Sequence, residues 1–251
     1  MCDTCGCHSE HEATIGNHGD HTHPHEHHSH DHPHRHVVDV NKNLLHDNAL
    51  MAERNRGYFE ARNILAVNLV SSPGSGKTTL LEKTITALKL ELNLMVIAGD
   101  QQTSNDANRI EHTGAKVLQI NTGSGCHLDA NMVHAAVKKL NPPVNAVVMI
   151  ENVGNLVCPA LFDLGEASRI VMISVTEGED KPLKYPNMFA SSHICIINKM
   201  DLLPHLSFHM DQLRENIKRI NPHLEVFELS AETGEGLKPW LDWLVYQQAA
   251  L

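Results

Sequence analysis

The sequence predicts an α/β fold in which a mostly parallel sheet is covered by helices on both faces, carried behind an amino-terminal segment with no core of its own. Three observations predict it. Apolar runs near 64–70, 94–98, 117–120, 146–150, 170–175, 193–197 and 225–229 alternate with helical patterns, notably 128–140, 206–220 and 237–248. Such alternation is the signature of a parallel sheet buried on both sides. The first run passes through a glycine-containing turn, Ser71-Ser72-Pro73-Gly74-Ser75-Gly76-Lys77-Thr78-Thr79, straight into the helical pattern that starts at Leu80. The composition also changes near residue 36: the first 36 of 251 residues hold 12 of the 20 histidines and three of the six cysteines, with almost no large apolar side chains. A segment of that kind cannot bury a core and is expected to be disordered.

Residues 1–36 therefore read as a Cys/His-rich metal-binding segment, 37–62 as a helical linker and 63–251 as the folded domain. Cys2, Cys5 and Cys7 stand beside the α-amino group, and thiolates there suit Zn2+, copper(I) or, in a planar set with nitrogen ligands, Ni2+. The histidines from His8 to His36 offer neutral imidazoles for borderline metals, as a high-capacity, low-specificity store. From Val37 to Arg62, residues Val40, Leu44, Leu45, Met51, Ala52, Tyr58 and Phe59 recur at near-helical spacing, and the apolar stripe either packs on the domain, the favoured reading, or receives a partner.

The turn after the first strand has the chemistry of a phosphate loop of the P-loop NTPase kind. Backbone N–H groups and a helix N-terminus point at the anion, Lys77 reaches the terminal phosphates and Thr78 holds Mg2+. Gly74, Ser75, Gly76 and Thr79 complete the cradle, while Ser71 stands where the usual pattern has glycine. On the loop Gly99–Asp106, Asp100 is the expected Mg2+ ligand, directly or through water, and Asp106 the group that positions attacking water. Glu151 closes the buried run 146–150 and supplies a second carboxylate linked to Mg2+. Asn198-Lys199-Met200-Asp201 follows another buried run. Asp201 can accept N1–H and the exocyclic amine of guanine, a donor pair that adenine lacks, with Asn198 and the stem of Lys199 bracing loop and ring. Ser230-Ala231-Glu232 fits the loop whose backbone touches the base oxygen, so GTP and GDP are the expected ligands. Finally Cys126, His127 and Cys158 lie just past strand ends and make three metal ligands, with water or another subunit as the fourth. Cys195, inside an apolar strand, reads as core.

A formal charge of −10 with no Lys/Arg cluster argues against nucleic acid as a partner. No apolar run approaches the roughly 20 residues of a membrane span, and no signal segment opens the chain. A cytoplasmic protein with reduced thiols is the expectation.

Taken together, the cysteine start, the histidine tract, the phosphate loop, Gly99-Asp100-Gln101-Gln102-Thr103, Gly125-Cys126-His127-Leu128-Asp129, Glu151-Asn152-Val153-Gly154-Asn155-Leu156-Val157-Cys158-Pro159 and Asn198-Lys199-Met200-Asp201 closely resemble the hydrogenase nickel-incorporation GTPases, the HypB family, over nearly the whole chain. The resemblance implies a GTPase of the signal-recognition and MinD-like class that forms a homodimer when GTP is bound. It further implies delivery of Ni2+ to nickel–iron hydrogenase large-subunit precursors together with the accessory protein HypA. Some relatives carry a further histidine at the position of Asn131. A related urease nickel GTPase, lacking the cysteine start and the Glu-Asn-Val-Gly-Asn stretch, and a nickel or zinc storage protein with a vestigial nucleotide domain are the alternatives. Slow turnover is expected, because no arginine in these motifs is placed to stabilise the transferring phosphate.

Overall fold

The computed structural model describes residues 34–100, 105–123 and 125–251; Cys2, Cys5, Cys7, nearly all of the histidine tract and residues 101–104 lie outside them. Seven strands form one sheet: β1 (Leu65–Ser71), β2 (Asn93–Asp100), β3 (Lys116–Asn121), β4 (Ala146–Glu151), β5 (Ser168–Ser174), β6 (Ile194–Asn198) and β7 (Glu225–Glu228). Their order is β3-β2-β4-β1-β5-β6-β7, and every pairing is parallel. The central strands β1 and β4 are buried along their whole length, which is why they read as nearly continuous apolar runs rather than alternating ones.

Side chains on successive residues of β1 point to opposite faces. Leu65, Val67 and Leu69 pack with α2 (Lys77–Leu88) and α8 (Leu237–Ala249) through Leu81, Ile85, Trp240 and Leu244. On the other face Ala66 joins α1 (His34–Glu60) and α4 (Ala130–Leu140) through Phe59, Val133 and Val137. Val70 of that face joins α6 (Pro186–Ala190) and α7 (Met210–Ile220) through Phe189, Leu213 and Ile217. Two further short helices, α3 (Asn105–Glu111) and α5 (Lys181–Lys184), complete the described chain with 3-10 turns at Cys158–Leu161 and Met200–His205.

The first helix is more than an apolar stripe. Ala52 and Phe59 are buried, and so are two asparagines, Asn48 and Asn55. Asn48 donates to the Asp163 carbonyl at 2.8 Å and accepts from the Ala130 N–H at 2.9 Å. Asn55 donates to the carbonyls of Ala130 (2.9 Å) and Leu164 (3.0 Å). Gly165 is required at this crossing, since its φ is +85° and a Cβ there would meet the Ala52 carbonyl.

Three sequence expectations need correction. The pattern 206–220 is not one helix: a 3-10 turn ends at His205, the chain is extended at Leu206, and α7 starts at Met210. The break is fixed from outside, because the His209 N–H donates to Glu179 Oε1 at 2.6 Å. The helix expected from Leu128 begins at Ala130, where Asp129 caps it by accepting from the Met132 N–H at 2.8 Å. Asp106 sits not on a loop but in the first turn of α3.

Candidate functional site

Strand β1 ends at Ser71, and the chain turns through Gly74 (φ +76°) and Gly76 (φ +99°) into α2. These two positive φ values are why glycine stands at both places. The turn faces a cavity of about 430 Å³ lined by residues of the phosphate loop, the end of β2, α3 and the end of β4. Lys77, Thr78, Asp100, Asp106 and Glu151 all border it, so the five residues assigned to phosphate, Mg2+ and the attacking water converge on one space.

The register explains the convergence. Glu151 pairs with Leu69 of β1 on one side and Ala98 of β2 on the other, at the carboxyl ends of three neighbouring strands. Thr78 Oγ1 donates to Glu151 Oε1 at 2.9 Å. Glu151 Oε2 is buried without a hydrogen-bond partner. Burial pushes the Glu151 carboxyl above its ordinary pKa, opposed by the Lys77 charge and the Thr78 hydrogen bond. Lys77 donates to Ser71 Oγ at 2.8 Å, and loss of solvent holds its ammonium below the usual lysine range against the pull of Glu151, Asp106, Glu177 and Asp100. Ser71 thus has a use that glycine could not serve. A buried unsatisfied carboxylate oxygen beside a threonine hydroxyl and two aspartates fits a hydrated divalent cation of the Mg2+ type.

The base-side residues form a second group. Asn198, at the end of β6, is 2% exposed; it donates to the Ser75 carbonyl at 2.8 Å and accepts from the Ala231 N–H at 2.9 Å. One amide therefore ties the phosphate loop to the Ser230-Ala231 turn. Lys199, with φ +63°, donates to the Gly74 carbonyl at 2.7 Å. Asp201 lies in the following 3-10 turn with a buried Oδ1 that has no hydrogen-bond partner, as a site built to accept from a base edge would leave it.

The third group joins two chain segments. Cys126 Sγ lies 2.9 Å from Cys158 Sγ and 3.7 Å from His127 Nδ1, and the ligand atoms of all three residues lie within 4.8 Å of one another. Cys126 and Cys158 are thiols, not a disulfide. A metal held at about 2.3 Å from each sulfur needs the pair to part by less than about 1 Å, so the set fits Ni2+ or Zn2+. His127 is buried and stacks on Phe162 with ring centroids 3.9 Å apart. Burial lowers its pKa, against the opposing pull of Asp129, and so favours the neutral imidazole that ligates metal. Cys195 is fully buried in β6, where loss of solvent pushes its thiol up.

Several residues in the site went unread in the sequence. Arg109 of α3 borders the cavity, donating to Glu82 and to Thr79 Oγ1 at 3.2 Å, and lies 3.8 Å from Asp106. Its spacing of three from Asp106 was the available signal, once that segment is known to be helical. Asn152 accepts from the Leu128 N–H at 3.1 Å, and Asn155 donates to the Cys126 carbonyl at 3.3 Å.

This fold and site define a phosphate-loop nucleotide-binding domain. The model of the CobW/HypB/UreG nucleotide-binding domain matches residues 65–228. The chain is 56% identical over 208 residues to the hydrogenase maturation factor HypB of Rhizobium leguminosarum bv. viciae, covering 83% of this chain and 70% of that protein. It is similar to the crystal structure of HypB from Helicobacter pylori in complex with nickel (TM-score 0.76, 36% identity, 81% of this chain and 96% of that one). It is also similar to that of the hydrogenase maturation factor HypB from Archaeoglobus fulgidus (TM-score 0.75, 38% identity, 80% and 98%). The chain belongs to the HypB family of hydrogenase maturation factors.

Proposed function

We propose that this chain is a metal-regulated GTPase that binds Ni2+, and also Zn2+, and assists nickel insertion into nickel–iron hydrogenase during its maturation. One observation carries the coupling of the two activities. The segment that leaves β4 at Glu151 packs Gly154 against the phosphate loop, where a Cβ would stand 3.1 Å from Pro73 Cγ, and four residues later supplies Cys158 to the Cys126 thiol. Movement of the phosphate loop is thereby felt at a metal ligand.

In this reading GTP is held by Gly74, Ser75, Gly76, Lys77, Thr78 and Thr79 at the phosphates and by Asn198, Lys199, Asp201, Ser230 and Ala231 around the base. Thr78, Asp100 and Glu151 hold Mg2+, which when bound neutralises charge on the phosphates. Lys77 carries the remaining positive charge, and Asp106 orients the water that attacks the terminal phosphate to give GDP and phosphate. Turnover is slow because Arg109, the arginine beside the cavity, is engaged by Glu82.

GTP favours a homodimer, and GTP hydrolysis reverses it, changing metal affinity at Cys126, His127 and Cys158. HypA and the hydrogenase large-subunit precursor are the partners, and Cys2, Cys5 and Cys7 with the histidine tract hold further metal. The family resemblance supports these assignments. Among the described residues no helix is long and apolar enough to cross a membrane. Measuring metal content, oligomeric state and phosphate release with GDP, GTP and a non-hydrolysable analogue tests the reading: a chain that binds metal but neither hydrolyses GTP nor changes its assembly with nucleotide is a store, not a switch.

A further inference from the structure

Strand β1 carries a polar residue in the middle of a wholly buried run. Asn68 is 0% exposed among Leu65, Ala66, Val67, Leu69 and Val70, where packing alone would favour a β-branched side chain. Both of its side-chain functions are used. Asn68 accepts from Asn152 Nδ2 at 3.3 Å and donates to Glu166 Oε1 at 3.0 Å. Glu166 Oε1 also accepts from Arg169 Nε at 3.1 Å, and its Oε2 accepts from the Leu164 N–H at 2.7 Å. Asn152, Glu166 and Arg169 are buried as well.

The two ends of this chain of hydrogen bonds hold the two metal-bearing segments. At one end Asn152, next to Glu151, accepts from the Leu128 N–H, the residue after His127. At the other end the Arg169 guanidinium donates to the carbonyls of Ala160 (3.2 Å) and Phe162 (2.9 Å), within and just past the 3-10 turn that begins at Cys158. Phe162 in turn lies flat on the His127 ring. A buried ion pair such as Glu166–Arg169 is a costly way to add stability, because both charges give up water. It is better explained by what it orients: the planar fork of arginine reaches one carboxylate and two carbonyls at fixed angles, as no apolar replacement does.

We infer that Asn68 and Arg169, linked through Glu166 and joined to Asn152, are positioning residues for the Cys126–His127–Cys158 metal site. The inference rests on the nickel-binding reading above. It assigns to four residues, in β1, just past β4, in the β4–β5 connection and at the start of β5, the task of holding the ligands within reach of one ion.

The test uses the full chain with Cys2, Cys5 and Cys7 replaced by serine, so that thiolate-to-Ni2+ charge-transfer absorption reports on Cys126 and Cys158. Arg169→Lys retains the charge but loses the fork, and Asn68→Leu cuts the chain at its middle while keeping the same branched heavy-atom skeleton. Each is expected to weaken Ni2+ binding at this site about 10- to 100-fold and to shift or abolish the absorption band, while GDP affinity stays within a few-fold. Because the two act through Glu166, the double variant is expected to lose little more than the worse single one. Where Asn68→Leu does not fold, Arg169→Lys decides alone. Unchanged Ni2+ affinity and absorption in folded variants, even with a lowered melting temperature, would overturn the inference and leave the chain of bonds as part of the core. No thiolate band in the parent protein would overturn the nickel reading, and the positioning role with it.

Discussion

Replacing Gly76 by alanine tests how the phosphate loop and the base-side loops are joined. A Cβ at Gly76 would lie 2.5 Å from Asn198 Nδ2, the atom that donates to the Ser75 carbonyl at 2.8 Å. Asn198 must move, and it can do so only by giving up that bond or the one from the Ala231 N–H. The left-handed backbone costs a residue with a Cβ roughly 1–2 kcal/mol, and each buried partner left unsatisfied adds roughly 1–3 kcal/mol. Gly76→Ala should thus cost about 2–5 kcal/mol with one bond lost. Gly74→Ala is the internal control: its φ is +76° but a Cβ there meets nothing within 4 Å, so only the backbone cost of about 1–2 kcal/mol applies. For a domain of this size that is a fall in melting temperature of roughly 4–20 °C against 2–8 °C, read by calorimetry without nucleotide, with GDP titrations alongside. Removing the obstacle in Gly76→Ala/Asn198→Ala should give less than the sum of the two single effects. Equal costs for the two glycines, or strict additivity in the double variant, would refute the reasoning.

Further outcomes follow from the same geometry. Asp201→Asn should weaken GTP and favour xanthosine triphosphate, whose altered edge suits an amide; unchanged GTP affinity rules out the assignment. Lys77→Ala should abolish phosphate release yet keep the fold, since it withdraws a charge that burial already disfavours; a circular dichroism spectrum and a phosphate assay settle both halves. Deleting residues 1–36 should remove most metal capacity while leaving GTP hydrolysis within a few-fold, whereas extending the deletion through Glu60 should destabilise the domain by stripping Asn48, Ala52, Asn55 and Phe59 from it. On acidification, metal on the histidines of the amino-terminal tract should leave through about pH 6.5. Burial lowers the His127 pKa, so its proton competes with metal only at lower pH, and the Cys126/Cys158 absorption should outlast the bulk of bound Ni2+. Loss of the absorption first contradicts the burial argument.

What could be read from the sequence was local chemistry and strand burial. Gly76-Lys77-Thr78 and Asn198-Lys199-Met200-Asp201 carry their geometry in a few consecutive residues, and β1 and β4 are mostly apolar on both sides because both faces are covered. What could not be read depends on partners far along the chain. Asn68 meets Glu166 across 98 residues, and Asn48 meets Asp163 across 115, so each looks like a stray polar residue until the fold closes. The break before α7 is set by Glu179, thirty residues from the His209 it holds. Arg109 was invisible as a cavity residue because the segment from Asn105 reads as a polar loop and forms a helix of only seven residues.

The central claim is that nucleotide and metal bias one another through the segment from Glu151 to Cys158. The most direct measurement titrates Ni2+ and Zn2+ into the full chain carrying Cys2, Cys5 and Cys7→Ser, once with GDP and once with a non-hydrolysable GTP analogue. Affinity at Cys126, His127 and Cys158 should differ between the two states by roughly 5- to 150-fold, and Cys126→Ala with Cys158→Ala should erase the difference while GTP still binds. Identical affinities in the two nucleotide states of the unmutated site would contradict the account and leave two independent sites on one domain.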